Sequence, residues 1–232
     1  MYEHGLAILA LTEMWGMTGN LKDDEAIQKA IKAGVDLIVR SQGDGGGWRY
    51  QPTLDAGHDT SVTVMVSIAL ASARQAGVVV SSESIAKILE YCKSATSQES
   101  GGFNYIPTGK DANDSIACTA GGAYAAQLAG ARGKEMVLSA LRYLTERAPG
   151  IIKNNFGHYY YGHYYAVHAM VQAGDEYYAE WYPLLRDALV VKQQKNGNWP
   201  GGAKGAKTIG YETPMAIIML ATPYRYIPIY QR

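Results

Sequence analysis

The chain is poor in the residues that place a protein in a class at a glance. Two cysteines in 232 residues, Cys92 and Cys118, exclude a disulfide framework and leave the compartment open. Phenylalanine is nearly absent, 2 against 18 tyrosines, so the aromatic surface carries hydroxyls that want a partner or water. Charged residues make up only 18%, and 21 Lys and Arg balance 21 Asp and Glu. That balance argues against a nucleic-acid partner, because phosphate contacts need clustered basic residues. No apolar run approaches the ~20 residues that cross a bilayer, so no transmembrane segment is expected. The N-terminus enters an apolar helical pattern directly, without signal-peptide regions, as in a domain cut from something longer. Phosphate-loop, H-E-x-x-H zinc and G-x-S-x-G nucleophile motifs do not occur. Strand-like alternation is missing as well, which leaves an all-α chain.

What is there is a repeat. Gln42-Gly-Asp-Gly-Gly46-Gly-Trp48 and Gln193-Gln-Lys-Asn-Gly197-Asn-Trp199 both read Q-x-x-x-G-x-W, 151 residues apart. A worn copy, Gln98-Glu-Ser-Gly-Gly-Phe103, lies between them. Helical periodicity predicts helices near 3–17, 24–42, 59–76, 82–96, 114–130, 133–147, 161–173, 177–194 and 211–221. Gly19, Gly77, Gly130 and Gly174 supply stops; Ser81 or Ser82, Asp114 and Asp175 are predicted N-caps. The helices alternate. Those at 3–17, 59–76, 114–130, 161–173 and 211–221 are apolar with small residues, and those between them are amphipathic. The first kind is expected inside and the second outside, with its charged face in water. Units near 4–57, 58–113, 114–161, 162–210 and 211–232 then follow one another within a single domain, a period of roughly 50 residues. In the repeated phrase, Gln is expected to bond the start of the next inner helix, Gly to allow the turn, and Trp to cover the Gln.

The phrase resembles the repeat of terpenoid cyclases of the squalene-hopene type, which share their α/α toroid with the β-subunits of protein prenyltransferases. Gly57-His-Asp-Thr-Ser-Val-Thr63 and the ending Pro223-Tyr-Arg-Tyr-Ile-Pro-Ile-Tyr-Gln-Arg232 are similar to bacterial prenyltransferase/squalene-oxidase repeat proteins. The resemblance implies an α/α toroid, here an incomplete ring of four hairpins plus one helix. An open flank of that kind calls for cover from a second copy, a partner chain or a preceding segment.

Polar residues recur at the starts of the inner helices: His4, His58 with Asp59, Asp114, His163 and Glu212. Set against the cyclase motif D-x-D-D-T, Asp59-Thr60 aligns, His58 takes the place of the proton-donating Asp, and Ala56 that of the first Asp. Imidazolium is far too weak an acid to protonate an alkene, which argues against polyene cyclisation. His58, Asp59 and His163 are the catalytic candidates that the repeat position leaves. A prenyltransferase-like zinc site would draw on Asp114, Cys118 and His163. The spacing departs from that family's, and a thiol among small apolar residues is expected to be inert, so no metal or cofactor is assigned. The segment Phe156-Gly-His158-Tyr-Tyr-Tyr161-Gly-His163-Tyr-Tyr165-Ala-Val-His168 pairs Tyr161 with Tyr165 and Tyr160 with Tyr164 on helix faces. With Asp114 and Glu212, these four tyrosines are the expected lining of a cavity for an apolar or isoprenoid-like ligand. An active cyclase or zinc-dependent transferase, and a scaffold that completes the ring with another chain, are the alternatives. His4 and His168 are expected to be packed or hydrogen-bonded. Lys204 and Lys207, in the second glycine run, would meet an anionic ligand.

Overall fold

The computed structural model describes residues 1–54, 57–107, 114–154, 158–201, 210–226 and 229. Ala56, Phe156, Gly157, Lys204, Lys207 and the last three residues lie outside them. Among the described residues the protein is all-α, with nine helices and two isolated β-bridges. They are α1 (Tyr2–Met14), α2 (Leu21–Arg40), α3 (Thr60–Gln75), α4 (Ser82–Ala95), α5 (Ile116–Ala126), α6 (Glu135–Lys153), α7 (Tyr159–Ala173), α8 (Asp175–Lys192) and α9 (Glu212–Ala221). No helix among them is long and apolar enough to cross a membrane.

Helices α1, α3, α5, α7 and α9 pack against one another in chain order, while α2, α4, α6 and α8 each pack against members of that row. The expected burial holds for α3, α5 and α7, which are buried nearly all round, as their small and apolar residues require. Helix α1, by contrast, buries only Gly5, Ile8, Leu9 and Thr12, and α9 only Glu212, Ala216 and Met219. Helices α1, α3 and α5 sit close because their surfaces are low: a Cβ on Gly5 of α1 would lie 3.1 Å from Met65 of α3, and one on Gly121 of α5 would lie 3.1 Å from Val64 of α3. The row bends. Tyr2 at the start of α1 lies beside Tyr165 of α7, and the Tyr124 hydroxyl of α5 donates to the Ile229 carbonyl at 3.3 Å.

The repeated phrase is built alike each time. Gly46, Gly101 and Gly197 have φ of 81°, 74° and 85°, the left-handed turn that glycine adopts without steric cost. The Trp48 indole N–H donates to the Ile38 carbonyl at 2.8 Å, and that of Trp199 to the Leu189 carbonyl at 2.7 Å. The aromatic's backbone N–H donates to a threonine on the next inner helix: Trp48 to Thr63 at 3.0 Å, Phe103 to Thr119 at 2.9 Å and Trp199 to Thr213 at 3.2 Å. The expected role of the glutamine needs correcting. Gln42 bonds the Gly46 carbonyl and then the start of the next outer helix, exchanging bonds with the Ser84 carbonyl at 3.1 Å and hydroxyl at 2.7 Å. Trp48, through the backbone, makes the bond to the inner helix that the sequence assigns to Gln42. Gln193 repeats only the local bond, to the Gly197 carbonyl at 3.0 Å, and is exposed.

Two predicted caps also shift. Ser115, not Asp114, caps α5, accepting from the Cys118 N–H, and Asp175 is the first residue of α8, which Gly174 precedes without a side-chain cap. Ser81 caps α4 as expected, and Asn20 caps α2, which begins three residues before its predicted start. Helix α6 continues past the expected end and through Pro149, because Ala148 and Ile152 on either side of it are buried. The lost backbone bond is outweighed by that packing. Gly130 closes a π-helical turn, Gln127–Ala131, that follows α5.

Candidate functional site

A cleft of about 690 Å³ opens where the N-terminal ends of α1, α3, α5 and α7 converge. The repeat geometry explains the place: each phrase turns the chain from an outer helix to the start of an inner one, so loops and helix starts collect on one side. Tyr2 and Glu3 of α1, Ser61 of α3, Asp114, Ser115, Ala117 and Cys118 at the start of α5, and His158 and Tyr161 at the start of α7 line it. Tyr50 and Tyr105 come from the loops that follow the first two phrases. Tyr105 lies beside Tyr50 and Ser61. Burial, then Tyr50 and the negative charge of Asp59, push its hydroxyl up to about 12. The Cys118 thiol is likewise pushed up, chiefly by burial, which makes it a poor nucleophile. His158 holds φ of 64°, a left-handed conformation uncommon for a residue with a side chain, at the entry to α7.

The structure brings together only part of the candidate set. Asp114 and Tyr161 line the cleft, and Tyr165 stands behind Tyr161 with ring centroids 4.7 Å apart. Asp114 accepts a hydrogen bond from the Ser100 hydroxyl. Tyr160 and Tyr164 take the other face of α7. Tyr160 donates to the Pro200 carbonyl at 3.0 Å, and Tyr164 packs edge-on against His168 at 4.8 Å. Glu212, buried at the start of α9, lies with Tyr160 and adds to the burial that raises that hydroxyl to about 12. These three residues form no part of the cleft wall.

The histidines are placed differently from what their repeat positions imply. His58 stands edge-on to Tyr91 at 5.7 Å and against Gly45, outside the cleft lining. His163 is buried between α6 and α8. Its Nε2–H donates to the Ile151 carbonyl at 3.1 Å, and its ring lies 4.4 Å from Tyr159 and 5.8 Å from Trp181. Burial lowers its pKa to about 4, so the ring is neutral and structural. His168 is buried against Tyr124 and Tyr164, with a pKa lowered by burial to about 3. His4 bonds the Gly34 carbonyl at 3.0 Å.

Asp59 is a cap. Its Oδ1 accepts from the Val62 N–H at 3.0 Å and the Ser61 hydroxyl at 2.7 Å, while Oδ2 lies 3.9 Å from Arg49 Nε. Asp114 and Cys118 share the cleft, but His163 does not join them. Among the described residues no three His, Cys, Asp or Glu side chains converge closely enough to hold a metal ion.

Sequence reasoning missed Tyr2, Glu3, Tyr50, Tyr105 and Ser115. A signal for two of them was present: Trp48-Arg-Tyr50 and Phe103-Asn-Tyr105 both place a tyrosine two residues after the aromatic of the phrase. No protein-family model matches the chain, and no curated protein matches it.

Proposed function

We propose that the chain is an α/α-toroid segment of the squalene-cyclase/prenyltransferase kind, whose cleft binds an apolar or isoprenoid-like ligand without cyclising it. The observation that carries the reading is the 690 Å³ cleft at the starts of four successive inner helices, walled by tyrosine rings and small side chains. Its size suits a small ligand, and concave sites with a few convergent polar groups are where such ligands bind. The bent row of inner helices, with α1 touching α7 through Tyr2 and Tyr165, supports a ring-like arrangement. Binding is favoured over acid catalysis because Asp59 is engaged as a helix cap and His58 lies outside the cleft. The zinc-transferase alternative lacks its third donor at the cleft, since His163 is held between α6 and α8.

Titration of isotopically labelled protein with farnesol tests the proposal. Amide shifts are expected at Tyr2, Ser61, Ser115 and Tyr161, and Ser61→Trp, which fills the cleft, is expected to abolish them while leaving the helical circular dichroism intact. Shifts that map elsewhere, or none at saturation, would overturn the reading. Turnover of squalene or a prenyl diphosphate would replace binding with catalysis.

A second reading, an assembly scaffold, is favoured by one surface. Leu6 and Met14 of α1 are 52% and 54% exposed on the same helix face, with Ala7 and Ala10 between them. An apolar helix face of this kind ordinarily packs against a neighbour.

A further inference from the structure

The electrostatics of the cleft point to the kind of ligand. Four tyrosine rings, Tyr2, Tyr50, Tyr105 and Tyr161, two carboxylates, Glu3 and Asp114, and one histidine, His158, line one space, and no lysine or arginine among the described residues does. A third carboxylate, Asp59, is wholly buried behind the wall, and its charge raises both Tyr105 and Cys118 in the lining. Its Oδ2 has no hydrogen-bond donor and only Arg49, half exposed, at 3.9 Å. Helix N-termini favour anions, so the four helix starts at the cleft pull the other way. At α3 that pull is met by the Asp59 carboxylate, and at α5 the neutral Ser115 hydroxyl occupies one of the free N–H groups. Two carboxylates in the lining and a third behind it, set against His158 and the half-exposed Arg49, leave the charged groups at the cleft mainly negative, over aromatic faces. Ring quadrupoles attract a cation and not an anion, and more strongly once the site is closed to water.

We infer that the ligand of this cleft carries a positive charge on an apolar body, as an alkylammonium does. The inference rests on the binding reading above and narrows it from apolar ligands in general to organic cations. An isoprenoid phosphate, which the same size and apolarity would admit, is disfavoured by Glu3, Asp114 and Asp59 together.

Three probes with one body separate the cases: geranyltrimethylammonium, geraniol and geranyl phosphate, titrated calorimetrically at low and at physiological salt. The cation is expected to bind at least about tenfold more tightly than the alcohol, with the phosphate weakest. The preference should shrink at the higher salt concentration, as attraction to the partly exposed carboxylates is screened. Glu3 is exposed, so Glu3→Gln leaves the fold unchanged; combined with Asp114→Asn it should lower affinity for the cation more than for geraniol and so cut the preference several-fold. Tyr50→Leu, also at an exposed position, should lower affinity for the cation more than for the alcohol. Equal affinity for cation and alcohol, or tightest binding of the phosphate, would overturn the inference and leave the binding reading standing. Failure of all three probes to bind would remove both.

Discussion

Alanine at Gly46, Gly101 and Gly197 separates two demands that the repeated turn makes on its glycine. All three have the same left-handed backbone, with φ of 81°, 74° and 85°, so each substitution carries the same conformational cost, about 1–2 kcal/mol. Their surroundings differ. A Cβ on Gly46 would lie 2.0 Å from the Lys87 carbonyl oxygen of the next outer helix, and one on Gly101 would lie 2.9 Å from the Ser139 Cβ. On Gly197 it would meet no described atom within 4 Å. Gly197→Ala therefore reads the backbone cost alone. Gly46→Ala adds the displacement of a helix backbone, an overpacking cost of about 1–3 kcal/mol, for a total of roughly 2–5 kcal/mol. For a chain of this size 1 kcal/mol moves the midpoint by about 2–4 °C, so Gly46→Ala should melt a further ~2–12 °C below Gly197→Ala. Gly101→Ala should fall between them. Urea unfolding of the three variants, compared at a common slope, gives the same ranking in free energy. Equal losses at all three positions, or a larger loss at Gly197, would refute the claim that close approach of the next outer helix adds to the cost at Gly46.

Two further outcomes follow from buried histidines and from the exposed face of α1. His163 and His168 have folded pKa values of about 4 and 3, below the ordinary 6.5, so the unfolded chain takes up protons that the folded chain refuses. Their contribution is intact above pH 6.5 and is lost as pH falls towards 4, at about 1.4 kcal/mol per pH unit for each. Denaturant midpoints between pH 7.5 and 4.5 should show this decline, with the slope roughly halved in His163→Gln; a flat profile would refute it. On the scaffold reading, the chain self-associates in light scattering at tens of micromolar, and Leu6→Glu with Met14→Glu abolishes the association. Stability should change by less than about 0.5 kcal/mol, because both side chains are largely exposed. A wild-type mass that does not change with concentration would count against that reading.

The helix pattern was legible in the sequence because apolar and amphipathic character alternate between whole helices. A segment such as Thr60–Gln75, with one charge in sixteen residues, has no polar face to offer water. The stops at Gly19, Gly77, Gly130 and Gly174 were legible for a local reason, since each has the positive φ that glycine adopts most readily. The candidate site was legible only in part. Asp114 and Tyr161 were named and line the cleft, whereas Tyr160, Tyr164, His58, His163 and Glu212 face elsewhere. Periodicity says which residues share a face of α7. It does not say which face turns toward α1 and which toward α9.

By itself, the sequence determined the number and kind of helices, the period of the repeat and the turns that punctuate it. Those properties depend on backbone preference and on each segment's own apolar pattern. Only tertiary structure decided what the phrase holds together. Gln42 reaches Ser84, 42 residues on, and Trp48 bonds Thr63 across a helix boundary, contacts that no local signal specifies. It also decided the composition of the cleft, where Tyr2, Tyr50, Tyr105 and Tyr161 meet from four stretches of chain. Their meeting depends on how α1, α3, α5 and α7 pack against one another, which small residues at their contacts allow and no one segment specifies.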